Sequence, residues 1–333
     1  MNPRPQLVVV TPVRNEAWVL EAFLTCTSSW ADYIIIADQQ STDGSREIAA
    51  KYEKVILVDN DAAEMNQAAA RLLLFREVDK IEGDKIVFAL DADEFLSEDF
   101  EKTNGWRQII KSQPNEIFCF KWLNLYGDYC HVLPDSGYME WACHFSNKTK
   151  IAEEYERCEK NAIHEMRVPC LPVDKVHYVA IDDIKFIHLA QINQVRQKNK
   201  HAFYQVHTIA SLTERKSAVS IFRTYNPPHP PTSTLATEIR LINYGSGEDV
   251  KRLVKSNDIG LYYIDEMLSI FNRDGLKKYR KLNIWDNPYI KAASINPRIP
   301  LHYKILYWYL KKTQEIADKN IVKAIDKVLK NVF

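Results

Sequence analysis

Four short runs of apolar, mostly β-branched residues dominate the first part of the chain and alternate with stretches of helical pattern. Runs without polar alternation are typical of strands buried on both faces, and strands separated by helices are typical of a parallel sheet. The sequence therefore predicts an α/β, Rossmann-like fold with a mostly parallel central sheet flanked by helices. The predicted strands cover residues 7–10, 33–37, 55–58 and 86–90, and a helix is predicted over 68–78.

Further along the chain the pattern changes. We expect the first strand to end at Thr11-Pro12, because proline cannot sit in a central strand. An extended segment is predicted over 116–126 and a helix over 191–212, whereas 127–175 show no period and are expected to form loops that face an acceptor. The proline-rich stretch 227–231 indicates a stiff connector. The predicted organisation is an α/β domain over 1–212, a connector over 213–236 and a helical C-terminal region over 237–333.

Composition narrows the functional classes. Lys and Arg together number 44, as do Asp and Glu, and this balance argues against a nucleic-acid partner. The N-terminus lacks the charged start and long apolar stretch of a signal peptide, and no segment approaches the roughly 20 apolar residues of a spanning helix. The six cysteines form no Cys-x-x-Cys pair and are expected to be reduced thiols. We therefore expect a cytoplasmic protein.

Polar and acidic side chains follow each of the four predicted strands. Ligands of parallel α/β sheets bind at the carboxyl ends of the strands, so these side chains are candidates for one site. They are Arg14, Asn15 and Glu16 after the first strand, Asp38 after the second, Asp59 and Asp61 after the third, and Asp91, Asp93 and Glu94 after the fourth.

The motif Asp91-Ala92-Asp93 carries the clearest chemistry. Two carboxylates at a strand end can converge on one Mg²⁺ or Mn²⁺ ion, which keeps coordination sites open for a substrate diphosphate. The simpler interpretation is an acidic pair in a solvated turn. A phosphatase of the haloacid dehalogenase kind is disfavoured, because its motif lies near the start of the domain and does not continue as Glu94-Phe95-Leu96 does here.

Three segments occur in order along the first third of the chain: Val10-Thr11-Pro12-Val13-Arg14-Asn15-Glu16, Ile35-Ile36-Ala37-Asp38-Gln39-Gln40-Ser41-Thr42-Asp43-Gly44-Ser45 and Leu90-Asp91-Ala92-Asp93-Glu94. They resemble the three signature blocks of glycosyltransferase family 2, whose members have the GT-A fold. By this resemblance 1–212 is the GT-A nucleotide-sugar-binding and catalytic domain. Gln39-Gln40 stands where the family usually has Asp-Gly.

The same resemblance implies roles for single residues. Asp38 would accept from the base or ribose of the donor, and Arg71 would lie near the ribose and diphosphate, although Leu72 replaces the family's Asn. Asp91 would contact the ribose or the metal, and Asp93 the metal. The remaining residues implied in donor binding are Thr11, Pro12, Arg14, Glu16 and Ala92.

Two later segments resemble a bacterial branch of that family: Ile163-His164-Glu165, and Phe186-Ile187-His188-Leu189 with its following basic helix. An inverting transfer needs a carboxylate to take the proton of the acceptor hydroxyl, and Glu165 is the first candidate, with Asp182 and Asp183 behind it. His188 is the candidate third ligand of the metal. The alternatives are a surface salt bridge for Glu165 and a structural hydrogen bond for His188.

The C-terminal segment from Leu301 combines aromatic and aliphatic residues with lysines. This pattern suits peripheral contact with the inner face of an anionic membrane. The alternative is a helix that packs on the catalytic domain and shows its lysines to water.

Three functions are compatible with these features. The first is a metal-dependent, inverting glycosyltransferase that moves a sugar from a nucleoside-diphosphate sugar to a hydroxyl of a glycan or lipid-linked acceptor, as in polysaccharide and cell-envelope synthesis. The second is a sugar nucleotidyltransferase, although the stretch Thr11-Pro12-Val13-Arg14-Asn15 lacks the Gly-rich loop of such enzymes. The third is a non-catalytic nucleotide-sugar-binding protein of the same fold.

Overall fold

A computed structural model describes residues 4–62, 65–134, 137–158, 167–169, 175–211, 216–227 and 232–333. The chain divides into two compact units. The first comprises Met1–Ile192 and Thr232–Ser256, and the second comprises Asn193–Pro231 and Asn257–Phe333. The sequence-based organisation into 1–212, 213–236 and 237–333 stays a prediction.

The first unit contains two main sheets and a small hairpin. Its strands are β1 (Gln6–Val13), β2 (Tyr33–Asp38), β3 (Val55–Asp59), β4 (Lys85–Ala89), β5 (Glu94–Leu96), β6 (Glu116–Phe120), β7 (Trp122–Tyr126), β8 (His131–Val132), β9 (Met139–Phe145), β10 (Lys175–Tyr178), β11 (Phe186–Gln191), β12 (Ser233–Thr234), β13 (Ile242–Asn243) and β14 (Glu248–Asp249).

Helices flank the sheets of the first unit and make up most of the second. Those of the first unit are α1 (Leu20–Thr27), α2 (Ser45–Ala49), α3 (Gln67–Val78), α4 (Asn104–Ile110) and α5 (Ile151–Glu156). Those of the second unit are α6 (Gln194–Ala210), α7 (Ala218–Tyr225), α8 (Leu261–Asp274), α9 (Pro288–Ala292), α10 (Leu301–Lys312) and α11 (Asn320–Leu329).

The main sheet has seven strands in the order β10-β6-β9-β4-β1-β2-β3. The four strands predicted from the sequence pair in parallel as β4-β1-β2-β3, and β9 runs antiparallel to both of its neighbours. Phe23 of α1 packs on one face of the sheet, and Leu74 and Phe75 of α3 pack on the other. The predicted α/β class, with a mostly parallel sheet flanked by helices and C-terminal helices beyond it, is confirmed.

The first strand is longer than the sequence indicated. We expected it to end at Thr11-Pro12, which is wrong, since β1 runs on to Val13. Its pairing with β4 ends at Val10, whose carbonyl accepts from the Leu90 amide, whereas its pairing with β2 continues to Val13. Pro12 lies two residues after Val10, so its backbone nitrogen points to the same side of β1 as the Val10 carbonyl. On that side β4 has already ended. Its missing N–H therefore removes no bond of the sheet.

The sequence indicated loops over 127–175, but part of this stretch is a strand of the main sheet. The stretch contains β9, which lies between β4 and β6 in the main sheet and buries Trp141, Ala142 and Cys143 completely. The extended segment 116–126 also divides, since β6 belongs to the main sheet and β7 to a second sheet. Part of the stretch 127–175, which was expected to face an acceptor, therefore belongs to the hydrophobic core.

The second sheet has the order β12-β8-β7-β11-β5. Its strand β5 begins at Glu94, directly after the predicted acidic motif, and pairs antiparallel with β11, where Glu94 lies opposite His188. Strand β7 pairs parallel with β11 and places Asn124 opposite His188. This sheet therefore joins the predicted metal motif to the predicted histidine.

In the second unit, α7 and α10 share an apolar core that includes Phe222, Leu306, Tyr307 and Leu310. None of the helices in the described part of the chain combines the length and the apolar content that crossing a membrane requires.

Candidate active site

The motif after β4 folds into a tight acidic turn. The Glu94 amide donates to the Asp91 carbonyl at 3.0 Å, and the Asp91 amide donates to Glu94 Oε2 at 2.9 Å. Glu94 is fully buried, and Asp93 is 7% exposed. The turn is thus held by its own backbone and by a buried carboxylate, which distinguishes it from an acidic pair in a solvated loop.

Arg167 places a positive charge against the carboxylates of Asp91 and Glu94 in this turn. Its guanidinium donates to Glu94 Oε2 at 2.6 Å, to Glu94 Oε1 at 2.8 Å, to Asp91 Oδ2 at 2.9 Å and to the Ala89 carbonyl at 2.9 Å. Burial alone would disfavour the charged form, but the carboxylates of Asp91 and Glu94 raise the pKa of Arg167. The sequence analysis did not identify this residue, because it lies 73 positions after Glu94 in a stretch without period.

Glu94 has an unusual electrostatic environment. Burial raises its pKa to about 7, an effect that Arg167 opposes and the neighbouring Asp91 reinforces. The indole Nε1 of Trp122 also donates to Glu94 Oε1 at 2.7 Å. Glu94 therefore accepts from three groups and acts as the hub that fixes the shape of the turn.

His188 lies beside the second carboxylate of the motif. Its Nε2 is 3.7 Å from Asp93 Oδ2, and its Nδ1 is 2.7 Å from Asn124 Oδ1. Because the Asn124 oxygen accepts from Nδ1–H, the neutral ring carries its lone pair on Nε2, on the side of Asp93. Trp122 stacks on the imidazole with ring centroids 4.7 Å apart. The structure thus brings together two residues that are 95 positions apart in sequence.

The pair Asp93 and His188 fits one divalent cation. Oxygen ligands of Mg²⁺ lie about 2.1 Å from the ion, so two ligands of one ion stand roughly 3–4 Å apart, as these two atoms do. Among the described residues there is no cluster of three or more His, Cys, Asp or Glu side chains arranged to hold a metal. A divalent cation at this pair would therefore find two ligands among the described residues, and a bound diphosphate and water would have to supply the others.

Arg71 lies next to the first carboxylate of the motif. Its Nη2 is 3.6 Å from Asp91 Oδ1, the side chain is 3% exposed, and burial lowers its pKa. Its Nε and Nη1 atoms have no hydrogen-bond partner in the described structure. A buried guanidinium with unused donors is costly for a protein without a ligand, so Arg71 is suited to receive an anion.

Two further buried polar atoms lie at the carboxyl ends of β1 and β2. Asp38 is 1% exposed, and its Oδ1 has no partner among the described residues, although its Oδ2 pairs with Arg46 at 3.0 Å. The hydroxyl of Thr11 is likewise buried without a described partner. Both are acceptors of the kind that recognises N–H or O–H groups of a nucleoside.

The loops after β1 and β2 are tied to each other. Asn15 has the left-handed backbone that Asn tolerates, with a φ of 55°, and its Oδ1 accepts from the Thr42 amide at 2.7 Å. Ser41 Oγ accepts from the Asn15 amide, and Asp43 accepts from the Ala17 amide at 2.8 Å. The first two blocks of the family resemblance therefore form one folded substructure at the edge of the sheet.

The other predicted donor residues lie around this substructure. Pro12 and Arg14 are half-buried at the end of β1, and Glu16 accepts from the Trp18 indole at 2.5 Å. Ala92 is buried at the apex of the acidic turn. Their contacts with a donor stay predictions.

Two of the three predicted acceptor-side carboxylates, Asp182 and Asp183, lie within the described residues. Asp183 accepts from the amides of Asn104 and Gly105 at the start of α4, and Asp182 is exposed in the same turn before β11. Glu165, the first candidate for the base, lies outside the described residues, as does His164. All three carboxylates remain predictions.

Comparison with known proteins bears on this site. Residues 8–106 match the model of a family described as glycosyl transferase family 2. The matched segment resembles that family. It spans β1 to α4 and includes the two tied loops, Arg71 and the acidic turn, so the predicted resemblance and its GT-A fold class are confirmed.

Similar solved structures cover a limited part of the chain. Mannosyl-3-phosphoglycerate synthase from Rubrobacter xylanophilus is 17% identical, with a TM-score of 0.29 over 38% of this chain and 42% of that one. Glucosyl-3-phosphoglycerate synthase from Mycobacterium tuberculosis, in complex with Mn²⁺, UDP-glucose and phosphoglyceric acid, is 16% identical, with a TM-score of 0.27 over 37% and 44%.

A cytidylyltransferase is also similar. The 4-diphosphocytidyl-2C-methyl-D-erythritol synthase from Anaerococcus prevotii is 18% identical, with a TM-score of 0.33 over 54% of this chain and 92% of that one. By contrast, the chain covers less than half the length of the mannosyl-3-phosphoglycerate synthase and of the glucosyl-3-phosphoglycerate synthase. No curated protein matches the sequence significantly.

Proposed function

We propose that the chain is a metal-dependent, inverting glycosyltransferase that moves a sugar from a nucleoside-diphosphate sugar to a hydroxyl of a glycan or lipid-linked acceptor. The observation that carries this proposal is the convergence of Asp93 and His188 at the strand edge where Asp38 and Arg71 have buried polar atoms without partners among the described residues. A site for a ligand that is both nucleoside-like and anionic needs these two kinds of group together.

On the donor side, the account assigns one part of the nucleotide to each group. Asp38 accepts from the base or the ribose through Oδ1, and Arg71 donates Nε and Nη1 to an anionic oxygen of the donor. Arg167 holds Asp91 and Glu94 in place through its hydrogen bonds, so that the turn presents Asp93 to the ion. A divalent cation held by Asp93 and His188 would neutralise the charge that develops on the departing nucleoside diphosphate.

On the acceptor side, the attacking hydroxyl must lose its proton as its oxygen bonds to the anomeric carbon and the diphosphate oxygen leaves. We assign this proton to Glu165, by the resemblance of Ile163-His164-Glu165 to the bacterial branch of the family. Asp183 is the weaker candidate, because its carboxylate already accepts from two amides of α4.

The test is release of nucleoside diphosphate from a panel of nucleotide sugars in the presence of Mn²⁺. Asp93→Ala should abolish release, whereas Asp99→Asn, which removes the charge of an exposed carboxylate that pairs with Lys102, should leave it unchanged. Full activity of Asp93→Ala would refute the metal assignment. Glu165→Gln should bind donor normally but lose transfer to an acceptor, and normal transfer would move the base to another residue.

A further inference from the structure

Helices α10 and α11, together with Val332 just after α11, expose seven large apolar side chains to solvent. Their exposed fractions run from 41% for Ile325 to 72% for Leu301. We call this set the C-terminal apolar face, and it consists of Leu301, Ile305, Trp308, Ile321, Ile325, Val328 and Val332. Large exposed apolar patches are typical of surfaces that bind another protein, a ligand or a membrane.

On α10 the exposed residues form a stripe that packing inside the unit does not use. Leu301, Ile305 and Trp308 are spaced by four and three positions, so they share one side of the helix. The opposite side carries Leu306 and Leu310, which are buried against α7. The helix is thus apolar on two sides, and only one of them has a partner in the described structure.

Helix α11 repeats the arrangement. Ile321, Ile325 and Val328 lie on one exposed side of the helix. On another side Val322 is buried, and Asp326 forms an ion pair with Arg223 of α7 at 2.8 Å. Between the two helices lies a groove of about 310 Å³, lined by apolar side chains that include Ile305, Ile325, Leu329 and Phe333. The two exposed stripes and this groove are apolar features of one pair of helices.

Positive charge is concentrated beside this face. Residues 301–333 contain three acidic residues and seven lysines, an excess of four positive charges (7 − 3), whereas the whole chain has 44 basic and 44 acidic residues. Lys304, Lys312, Lys323, Lys327 and Lys330 are all exposed. Of the three acidic residues, Asp326 is buried against Arg223. The exposed charge of the segment is therefore strongly basic.

We propose that the C-terminal apolar face binds the surface of an anionic lipid bilayer. Aliphatic side chains enter the boundary between headgroups and acyl chains, Trp308 takes the interfacial position that indole rings favour, and the lysines reach anionic headgroups. A second copy of this chain is a poorer occupant, because a symmetric interface would place each copy's lysines against those of the other. The proposal involves none of the donor-site residues.

The test is flotation of the full-length protein with vesicles of neutral phosphatidylcholine alone or mixed with anionic phosphatidylglycerol. The wild type should float with the mixed vesicles and remain behind with the neutral ones. The triple change Lys312→Glu, Lys323→Glu and Lys327→Glu should reduce partitioning at least about tenfold, since each basic residue near the surface contributes to binding. Ile305→Ser with Trp308→Ser should reduce it comparably.

Matched controls separate this effect from general changes of charge or folding. Lys51→Glu, Lys111→Glu and Lys148→Glu alter three exposed lysines of the first unit, and Val195→Ser with Leu261→Ser alters two exposed apolar residues outside α10 and α11. Both controls should float like the wild type. Failure of the wild type to float with anionic vesicles overturns the proposal. Concentration-dependent dimers that Ile305→Ser with Trp308→Ser abolishes would also overturn it, in favour of a second copy.

Discussion

At the scale of single residues, the site depends on a buried ion pair that the sequence motif does not contain. Arg167 donates two hydrogen bonds to the Glu94 carboxylate, at 2.6 and 2.8 Å, away from water. Such pairs are costly to desolvate, and removal of one partner strands the charge of the other. Their value to this protein is therefore geometric, because they hold Asp91 and the turn that carries Asp93.

Replacement of Arg167 tests this interpretation. Arg167→Met should lower the free energy of unfolding by roughly 3–5 kcal/mol, because it leaves Glu94 buried without its main partner. Adding Glu94→Gln should recover part of that loss. Urea unfolding of the two single variants and the double variant gives the coupling directly, and strictly additive effects would show that the pair does not act as a unit.

Asn124 controls the orientation of His188. Because its oxygen accepts from Nδ1–H at 2.7 Å, it fixes which ring nitrogen faces Asp93. Asn124→Ala should weaken Mn²⁺ affinity by about 10–100-fold, the range typical of lost outer-shell partners. Asn124→Asp keeps an acceptor and should retain affinity. Titration with Mn²⁺ distinguishes the variants, and equal affinity of all three proteins would contradict the assigned role.

At the scale of elements, His144 of β9 should make the free energy of unfolding depend on pH. Burial lowers its pKa, and its Nδ1 lies 2.9 Å from Ser112 Oγ, while Nε2 has no described partner. The proton is bound less readily in the folded than in the unfolded protein. Stability is therefore fully present above the unfolded pKa of about 6.5 and is lost as the pH falls through the lower folded value.

The variant His144→Gln isolates this contribution. Between about pH 7.5 and 5 the wild type should lose more of its free energy of unfolding than the variant does, since the carboxylates that also titrate are common to both. Unfolding in urea at several pH values measures the difference. Parallel pH profiles of the two proteins would contradict the assignment.

The sequence predicted the elements with simple patterns and missed those without. Strands β1 to β4 are continuous apolar runs, so their parallel pairing followed from the alternation with helices. Strand β9 mixes Trp141, Cys143 and His144 without a period, and only its place between β4 and β6 shows why such residues are buried. The length of β1 was misjudged because Pro12 is harmless only where β4 has already ended.

The candidate site shows the same division. Asp93 and His188 could be paired from the sequence because both belong to motifs of a known family, and the structure places them 3.7 Å apart. Arg167 and Asn124 belong to no motif, and their roles depend on distances across strands that a linear pattern does not encode. The one available signal was the position of Arg167 two residues after Glu165.

At the scale of the whole molecule, the second unit is held by a polar network among three helices. Arg223 of α7 donates to Asp326 of α11 at 2.8 Å and to Thr313 at the end of α10 at 2.7 Å, and the Tyr309 hydroxyl donates to Asp326 at 3.0 Å. Both ends of the Arg223–Asp326 pair are largely buried. The network therefore ties α10 and α11, which carry the C-terminal apolar face, to α7.

Asp326→Asn should weaken this unit by about 2 kcal/mol, because it removes the charged acceptor of Arg223. Hydrogen exchange should become faster at the amides of α7, α10 and α11, while those of β1 and β4 keep their protection. Asp318→Asn, at an exposed position between the same helices, should change neither. Uniformly faster exchange in Asp326→Asn would mean that the two units do not unfold separately.

The central claim is that Asp93 and His188 bind a divalent cation together with a nucleotide-sugar donor. It is tested most directly by thermal unfolding of the wild type and Asp93→Asn with a panel of nucleotide sugars, each with and without Mn²⁺. A donor that binds only the folded protein raises the midpoint of unfolding. The account predicts a donor-specific rise that requires Mn²⁺ in the wild type and is absent in Asp93→Asn. A rise of equal size in both proteins, or one that does not depend on Mn²⁺, would contradict it.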